Sequence, residues 1–306
     1  MKSKFRSILK WTLRVVGALV LLLLASYGVI YYVSEQRINQ VYQVSPVKLA
    51  IPTDSASLAI GEHMVSIKGC QDCHGKDLSG KVFLDDPGLG SVVASNLTSG
   101  KGGVGNKLTP EEWVKAIRHG IGTDNKPLLI MPSDEFFPIS NADLASMIGY
   151  IKSIPPVDNE LPEHNLKPLA RVLYVAGPLS LLTTAQKIDH TKEVADKIMP
   201  AVNAAYGKYL AVSCSGCHGK DFKGKEMPIP GMKPSVNITS TGDLGKWTEE
   251  QFMAILKTGL RPDGRQLDNK DMPWQMTANF KDDEMRAIYR YLQTLPDNEP
   301  VQASAE

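Results

Sequence analysis

Cysteine is scarce in this chain of 306 residues: there are four, and they fall in two pairs with no thiol left over. Strong net charge is also missing, since charged residues make up 22% and sum to +1. A basic stripe of the kind that tracks nucleic acid is thereby excluded as the main feature. The glycines at Ser99–Gly105 have no preceding strand and no following Lys-Ser/Thr, so a phosphate-cradling loop is not indicated either. Acidic residues are absent before Glu35, whereas Lys2, Lys4, Arg6, Lys10 and Arg14 all precede it.

Those five cations lead into Val15–Val33, nineteen residues without a charge. That run meets the roughly 20 residues needed to span a bilayer. Positive charge before it puts the N-terminus on the cytoplasmic side and the remainder outside. Tyr27, Tyr31 and Tyr32 sit toward its outer end, at headgroup level. A cleaved signal has a shorter apolar core and a small-x-small site; Ala25-Ser26-Tyr27 is a poor one, so an uncleaved anchor is expected. Residues 1–33 are read as cytoplasmic N-terminus and transmembrane helix, and 34–53 as a linker.

All four cysteines lie in one repeated pentapeptide, Cys70-Gln71-Asp72-Cys73-His74 and Cys214-Ser215-Gly216-Cys217-His218. C-x-x-C-H is the attachment signature of a c-type haem. Two thiols two residues apart reach one porphyrin edge, and the next side chain swings under the iron. A zinc site, a dithiol redox pair and two disulfides are the other uses of such cysteines. Two covalent haem c groups are expected, with Cys70, Cys73, Cys214 and Cys217 as attachment points and His74 and His218 as axial ligands.

The repeat extends well beyond the pentapeptide. Asn96-Leu97-Thr98 pairs with Asn237-Ile238-Thr239, Thr109-Pro110-Glu111-Glu112-Trp113 resembles Thr248-Glu249-Glu250-Gln251-Phe252, and Gly120 matches Gly259. Met131-Pro132 then matches Met272-Pro273, and Tyr150 and Pro155 match Tyr291 and Pro296. The Gly-to-Cys spacing is two residues tighter in the second copy, which sets His63 opposite Tyr209. The expected secondary structure is helical throughout. Thr109 and Thr248 are N-caps with acids in the following turn. The last helix of each half shows helical apolar spacing, with Leu144, Ile148 and Ile151 in one and Met285, Ile288, Tyr289 and Leu292 in the other, and is stopped by Pro155 or Pro296. Long loops such as Ser99–Gly105 and Met227–Pro234 are unusual in a compact domain unless a prosthetic group replaces part of the core.

In its C-x-x-C-H, Asn-[Leu/Ile]-Thr, Thr-x-Glu-x-[Trp/Phe] and Met-Pro order, over about 54–155 and 200–296, the chain resembles class I cytochrome c. More narrowly, it is similar to the cytochrome subunits of membrane-bound bacterial alcohol and gluconate dehydrogenases, whose members carry three haem domains where two are present here. The resemblance implies an all-α fold of two tandem cytochrome c domains, 54–155 and 200–296, after the transmembrane helix. Residues 156–199 would be a connector packing between the domains, and 297–306 a disordered tail. In that family the Met-Pro methionine supplies the distal thioether, which implies Met131 and Met272 as the sixth iron ligands. Their register supports this: Met276 falls opposite Glu135 and Met147 opposite Ile288, so neither keeps it.

The remaining motifs have quieter readings. His63 is expected at the surface or a haem edge. His119 ends a helix, where a cation complements the dipole. His164 and His190 fall in the connector as solvated or interface residues. The two Asn-x-Thr triplets are formal glycosylation sequons, read here as loop residues that hydrogen-bond backbone. Trp113 and Trp247 are expected beside the porphyrin. Leu169–Leu182 is too apolar to be left in water.

A His/Met-ligated haem has no open coordination position, so the expectation is an electron carrier and not an enzyme. The expected setting is the periplasmic side of a bacterial inner membrane, with the chain anchored by a single pass. Partners would be a dehydrogenase or quinol-oxidising complex on one side and an oxidase or soluble cytochrome on the other, with no nucleic acid. A dihaem cytochrome c peroxidase is the alternative enzyme. A non-catalytic anchor subunit of a dehydrogenase complex is the third reading.

Overall fold

The computed structural model describes residues 2–227 and 233–295. Pro296, the tail 297–306 and part of the Met227–Pro234 loop lie outside the described residues. Among the described residues there are twelve α-helices: α1 (Lys2–Ile38), α2 (Ser55–Ile67), α3 (Cys70–His74), α4 (Pro110–His119), α5 (Ser133–Phe136), α6 (Asn141–Ser153), α7 (Pro168–Ala176), α8 (Ala204–Ala211), α9 (Ser215–His218), α10 (Glu249–Thr258), α11 (Trp274–Thr277) and α12 (Asp282–Gln293).

α1 is 37 residues long, about 55 Å at 1.5 Å per residue. Among the described residues it is the one helix long and apolar enough to cross a membrane. In each half that follows, a first helix crosses a last one at a glycine. A Cβ on Gly61 of α2 would collide with the Ser146 carbonyl and Tyr150 of α6. A Cβ on Gly207 of α8 would collide with the Ala287 carbonyl and Tyr291 of α12. The two crossings are therefore the same crossing, made twice. Between them, α4 and α10 open on capping boxes at Thr109/Glu112 and Thr248/Gln251 and close on left-handed Gly120 and Gly259. Leu78 and Phe222, at matching places after the cysteines, share a left-handed backbone with φ of 57° and 59°.

The fold is not all-α. An antiparallel hairpin of β1 (Lys81–Asp86) and β2 (Gly90–Ala94) occupies the first half, and a short β3 (Asn165–Leu166) extends it in the order β1-β2-β3. The reason is local. Lys81-Val82-Phe83-Leu84 and Ser91-Val92-Val93 are β-formers, and Asp86-Pro87-Gly88 turns the chain between them, with Asp86 Oδ1 accepting from Gly88 N and Leu89 N at 2.8 Å each. This segment is three residues longer than its counterpart between His218 and Asn237, so the repeat did not point to it.

The halves meet through their own helices. His63 of α2 bonds Glu284 of α12 at 2.8 Å, and Tyr209 of α8 donates to Asp143 of α6 at 2.5 Å. Since His63 pairs with Tyr209 in the repeat and Asp143 with Glu284, these are one contact related by a pseudo-twofold axis. His63, expected at the surface or a haem edge, is thus an interdomain residue. The Leu169–Leu182 stretch is not at that interface. Leu173, Tyr174, Leu179 and Leu182 pack with Ile38 of α1 and with Leu84 and Leu89 of the hairpin, because the hairpin and the end of α1 offer the apolar surface there.

Burial pushes the Glu284 carboxyl up, but hydrogen bonds from His63 and from the Lys281 N–H, with the charges of the same two residues, bring it below the ordinary range. A lowered folded pKa means a contribution present above the unfolded value and lost as pH falls through the folded one. Thermal melts are therefore expected to lose stability below about pH 4. Glu284→Gln should flatten that acid limb, and an unchanged limb would remove Glu284 from the interface account.

Candidate functional site

α2 delivers Gly69, left-handed at φ 69°, and the chain turns there into α3, the five residues Cys70–His74. A cavity of about 440 Å³ opens beside it, lined by Cys70, Cys73 and His74 and also by Met131, Trp113 and Met147. The residues singled out in the first half are thus brought around one cavity. Its volume lies within the range of cofactor pockets.

The imidazole is set by the backbone. His74 Nδ1 is 2.8 Å from the Ser95 carbonyl oxygen. An N–H at Nδ1 donates there and leaves the Nε2 lone pair free for a metal. Burial lowers the pKa of His74, which favours the neutral imidazole that ligation requires. In the second half, α9 carries Cys217 and His218 directly after Cys214, and His218 Nδ1 is 2.8 Å from the Val236 carbonyl. Ser95 and Val236 are repeat partners. The loops below are held alike: Gly80 N and Gly224 N donate to the His74 and His218 carbonyls at 2.7 and 2.8 Å.

Met131 and Met272 stand in matching turns, with Ser133 N and Trp274 N donating to their carbonyls at 2.8 and 2.7 Å. Both are partly buried and pack on the hydrophobic core. Met147 also lines the first cavity but is 1% exposed and part of that core. Met276, the repeat partner of Glu135, lies at the interface, its Cγ 3.7 Å from where a Cβ on Gly69 would stand. Glu135 occupies the reciprocal place against Gly216. Each post-methionine turn thus abuts the other half's cysteine segment. Lys68, fully buried between them, reaches Ser213 Oγ at 3.2 Å and the Leu210 carbonyl at 3.5 Å.

The thiols are not poised as a reactive dithiol. Burial pushes Cys70 up to about 12 and Cys73 to about 11, and Cys214 likewise to about 12. A reactive dithiol has a depressed pKa instead. All four cysteines are free, and among the described residues no cluster of three or more His, Cys, Asp or Glu could hold a metal ion. A haem does fit. Trp113 is 2% exposed and its Nε1–H has no partner among the described residues, although Trp113 lines the cavity. A buried N–H is costly to leave unpaired, and a porphyrin carboxylate would satisfy it. His164, in the connector, also lines this cavity, its Nδ1 accepting from Val93 N at 3.1 Å; its lack of a repeat partner hid it in the sequence.

One other reading changes. His119 does not act as a cation at a helix end: burial, with His190 and Arg118 nearby, lowers its pKa to about 4. It is neutral at pH 7 and shares a 3.0 Å Nδ1–Nδ1 hydrogen bond with His190. The Asn-x-Thr triplets hydrogen-bond backbone as expected, in tight local turns. Asn96 and Asn237 accept from Thr98 N and Thr239 N at 2.9 and 2.8 Å, and Asn96 and Thr98 are buried.

Comparison with known proteins agrees with this geometry. Residues 204–296 match the family model "Cytochrome c", and residues 56–151 match "Cytochrome C oxidase, cbb3-type, subunit III". Among curated proteins, the cytochrome c subunit of a quinone alcohol dehydrogenase from Gluconobacter oxydans is 25% identical over 79% of this chain and 55% of its own length. The fructose dehydrogenase cytochrome subunit of Gluconobacter japonicus is 25% identical over 78% and 53%. The gluconate 2-dehydrogenase cytochrome c subunit of Pantoea cypripedii is 23% identical over 80% and 62%. The chain thus spans a little over half the length of these relatives.

Proposed function

We propose, for a chain that carries cytochrome c domains and is homologous to the cytochrome c subunits of quinone alcohol, fructose and gluconate dehydrogenases, that it is a membrane-tethered dihaem electron carrier. Cys70 and Cys73 hold one haem c and Cys214 and Cys217 the other, through thioethers. His74 and Met131 ligate the first iron, His218 and Met272 the second. Such a haem takes up and releases one electron with little rearrangement.

The residues around it do three things. Ser95 and Val236 fix the two imidazoles through Nδ1. The Met131 and Met272 turns would offer a thioether to the iron, which would leave oxygen or peroxide no place to bind. The packing of each post-methionine turn on the other half's cysteine segment supports two centres beside one another. The observation that carries this reading is the equivalence of the two halves at the histidine and methionine. A dihaem peroxidase needs its halves to differ there.

α1 serves as a retained anchor in the bacterial inner membrane, with its N-terminus in the cytoplasm and the domains 54–155 and 200–296 in the periplasm. Electrons enter from a dehydrogenase or quinol-oxidising complex and leave to a terminal oxidase or soluble cytochrome. The homologues favour a place as the cytochrome subunit of a dehydrogenase complex. The test is electron delivery in membranes that hold a quinone-linked dehydrogenase. The native chain should gain the mass of two haems and relay electrons from the dehydrogenase to a soluble acceptor. Replacing Cys214 and Cys217 by alanine should leave one haem and stop the relay. A relay that continues undiminished would contradict the two-centre reading.

A further inference from the structure

Helix α7 packs one side on the protein and leaves Leu169 and Ala176, on its other side, exposed among the described residues. Ala170 and Tyr174 are buried on the hairpin side, and Leu173 joins the same small core. The outer side carries Leu169, half-buried Val172 and Ala176 at i, i+3 and i+7, followed by Gly177 and Pro178; Leu169 is 49% exposed, with its Cδ2 beside Gly88. α7 has one charged residue, Arg171, and it is turned inward. Its guanidinium pairs with Glu35 at 2.7 Å, donates to Ser34 Oγ at 2.9 Å and lies 4.5 Å above the ring of Tyr31. The outer face is consequently free of charge.

Those partners fix where α7 sits. Tyr31, Ser34 and Glu35 span the last turn of the apolar run of α1 and the turn after it. Arg37 adds a contact, its guanidinium 5.6 Å from the Tyr174 ring centroid. The side of α1 that is covered carries Tyr27, Ile30, Ser34 and Ile38 at helical spacing, and its first two members lie inside the uncharged run. Contacts from α7 therefore reach α1 as low as Tyr31, inside the uncharged run. Tyr31 and Tyr32, at that level, are 47% and 64% exposed. Arg171, over the Tyr31 ring, sets α7 beside this belt.

We propose that α7 is a membrane-interfacial helix, which seats Leu169, Val172 and Ala176 in the outer headgroup–acyl boundary beside the end of α1. This rests on the reading of α1 as a retained anchor. Amphipathic helices bind that boundary in proportion to the apolar area they bury, and here the helix is already held there by Arg171. The chain meets the bilayer twice, so the anchor cannot swivel. The first domain, which shares its hairpin core with α7, is held at a fixed angle to the membrane.

The test uses the full-length haem-loaded chain in phosphatidylcholine/phosphatidylglycerol vesicles, with a nitroxide on one introduced cysteine at a time. Leu169→Cys, Ala176→Cys, Lys101→Cys and Leu22→Cys are compared, each with its native haem spectrum as the sign of folding. Labels at 169 and 176 should be several-fold less accessible to a water-soluble nickel chelate than the label at 101, and more accessible to oxygen. Equal nickel access at 169, 176 and 101, with the label at 22 in lipid, would overturn the interfacial role of α7 and leave the anchor standing. Loss of nickel access without gain of oxygen access would mean a second copy covers the face, and would overturn it too. A label at 22 outside the lipid would sink the anchor reading, and this proposal with it.

Discussion

Met131→Ala lowers the reduction potential of the first haem by on the order of 0.1 V or more, within the roughly 0.8 V that axial ligands command, and leaves the second near its native value. Thioether ligation favours the reduced iron relative to a second imidazole or water, so its loss moves the potential down. The substitution spares the turn. The Met131 carbonyl accepts from Ser133 N at 2.8 Å and from Thr184 Oγ1 at 2.7 Å, and alanine keeps both bonds. The change then reads the ligand and not the fold. Met272→Ala should do the same to the second haem alone. Met147→Leu, in the same cavity but in the core, should cost less than about 1.5 kcal/mol and move neither potential. Spectroelectrochemical titration of the three variants checks this. An unchanged first potential in Met131→Ala would remove Met131 from the iron.

Gly61→Val and Gly207→Val each destabilise their own domain by about 3–5 kcal/mol, the large end for point substitutions. The atoms that a Cβ would meet are backbone carbonyls of α6 and α12 with Tyr150 and Tyr291 behind them, and neither helix can yield without opening the crossing. A loss of that size shifts the melting temperature by about 12 °C or more in a unit of about 100 residues. Gly28→Val, with nothing within 4 Å of its Cβ, is the control. Calorimetry and haem retention on heating read all three, and equal melting of Gly61→Val and native protein would refute the shared crossing.

The repeat made much of this legible. Matching Met-Pro, Tyr and Gly positions placed the crossings, the histidine loops and the methionine turns in parallel, because each is dictated by local sequence. The interdomain contact was half-written there as well. His63 and Tyr209 could be aligned, but nothing in the spacing says that each reaches the first turn of the other half's last helix. That depends on a symmetry axis, which no single copy encodes. The β-hairpin was hidden for a different reason: Val82-Phe83-Leu84 and Val92-Val93 have no repeat counterpart, and comparison between the halves passes over what only one of them has. The same holds for His164 at the cavity and for the His119–His190 pair. The apolar connector announced itself by composition, yet composition says only that Leu169–Leu182 must be covered, not that the hairpin and α1 cover it.

The central claim is that one chain holds two equivalent one-electron centres. It is tested most directly by coulometric titration of the purified full-length protein, counting electrons taken up per chain between full oxidation and full reduction. The account predicts two electrons, divided equally between the absorbances of two haems. Uptake of a single electron per intact chain would contradict it.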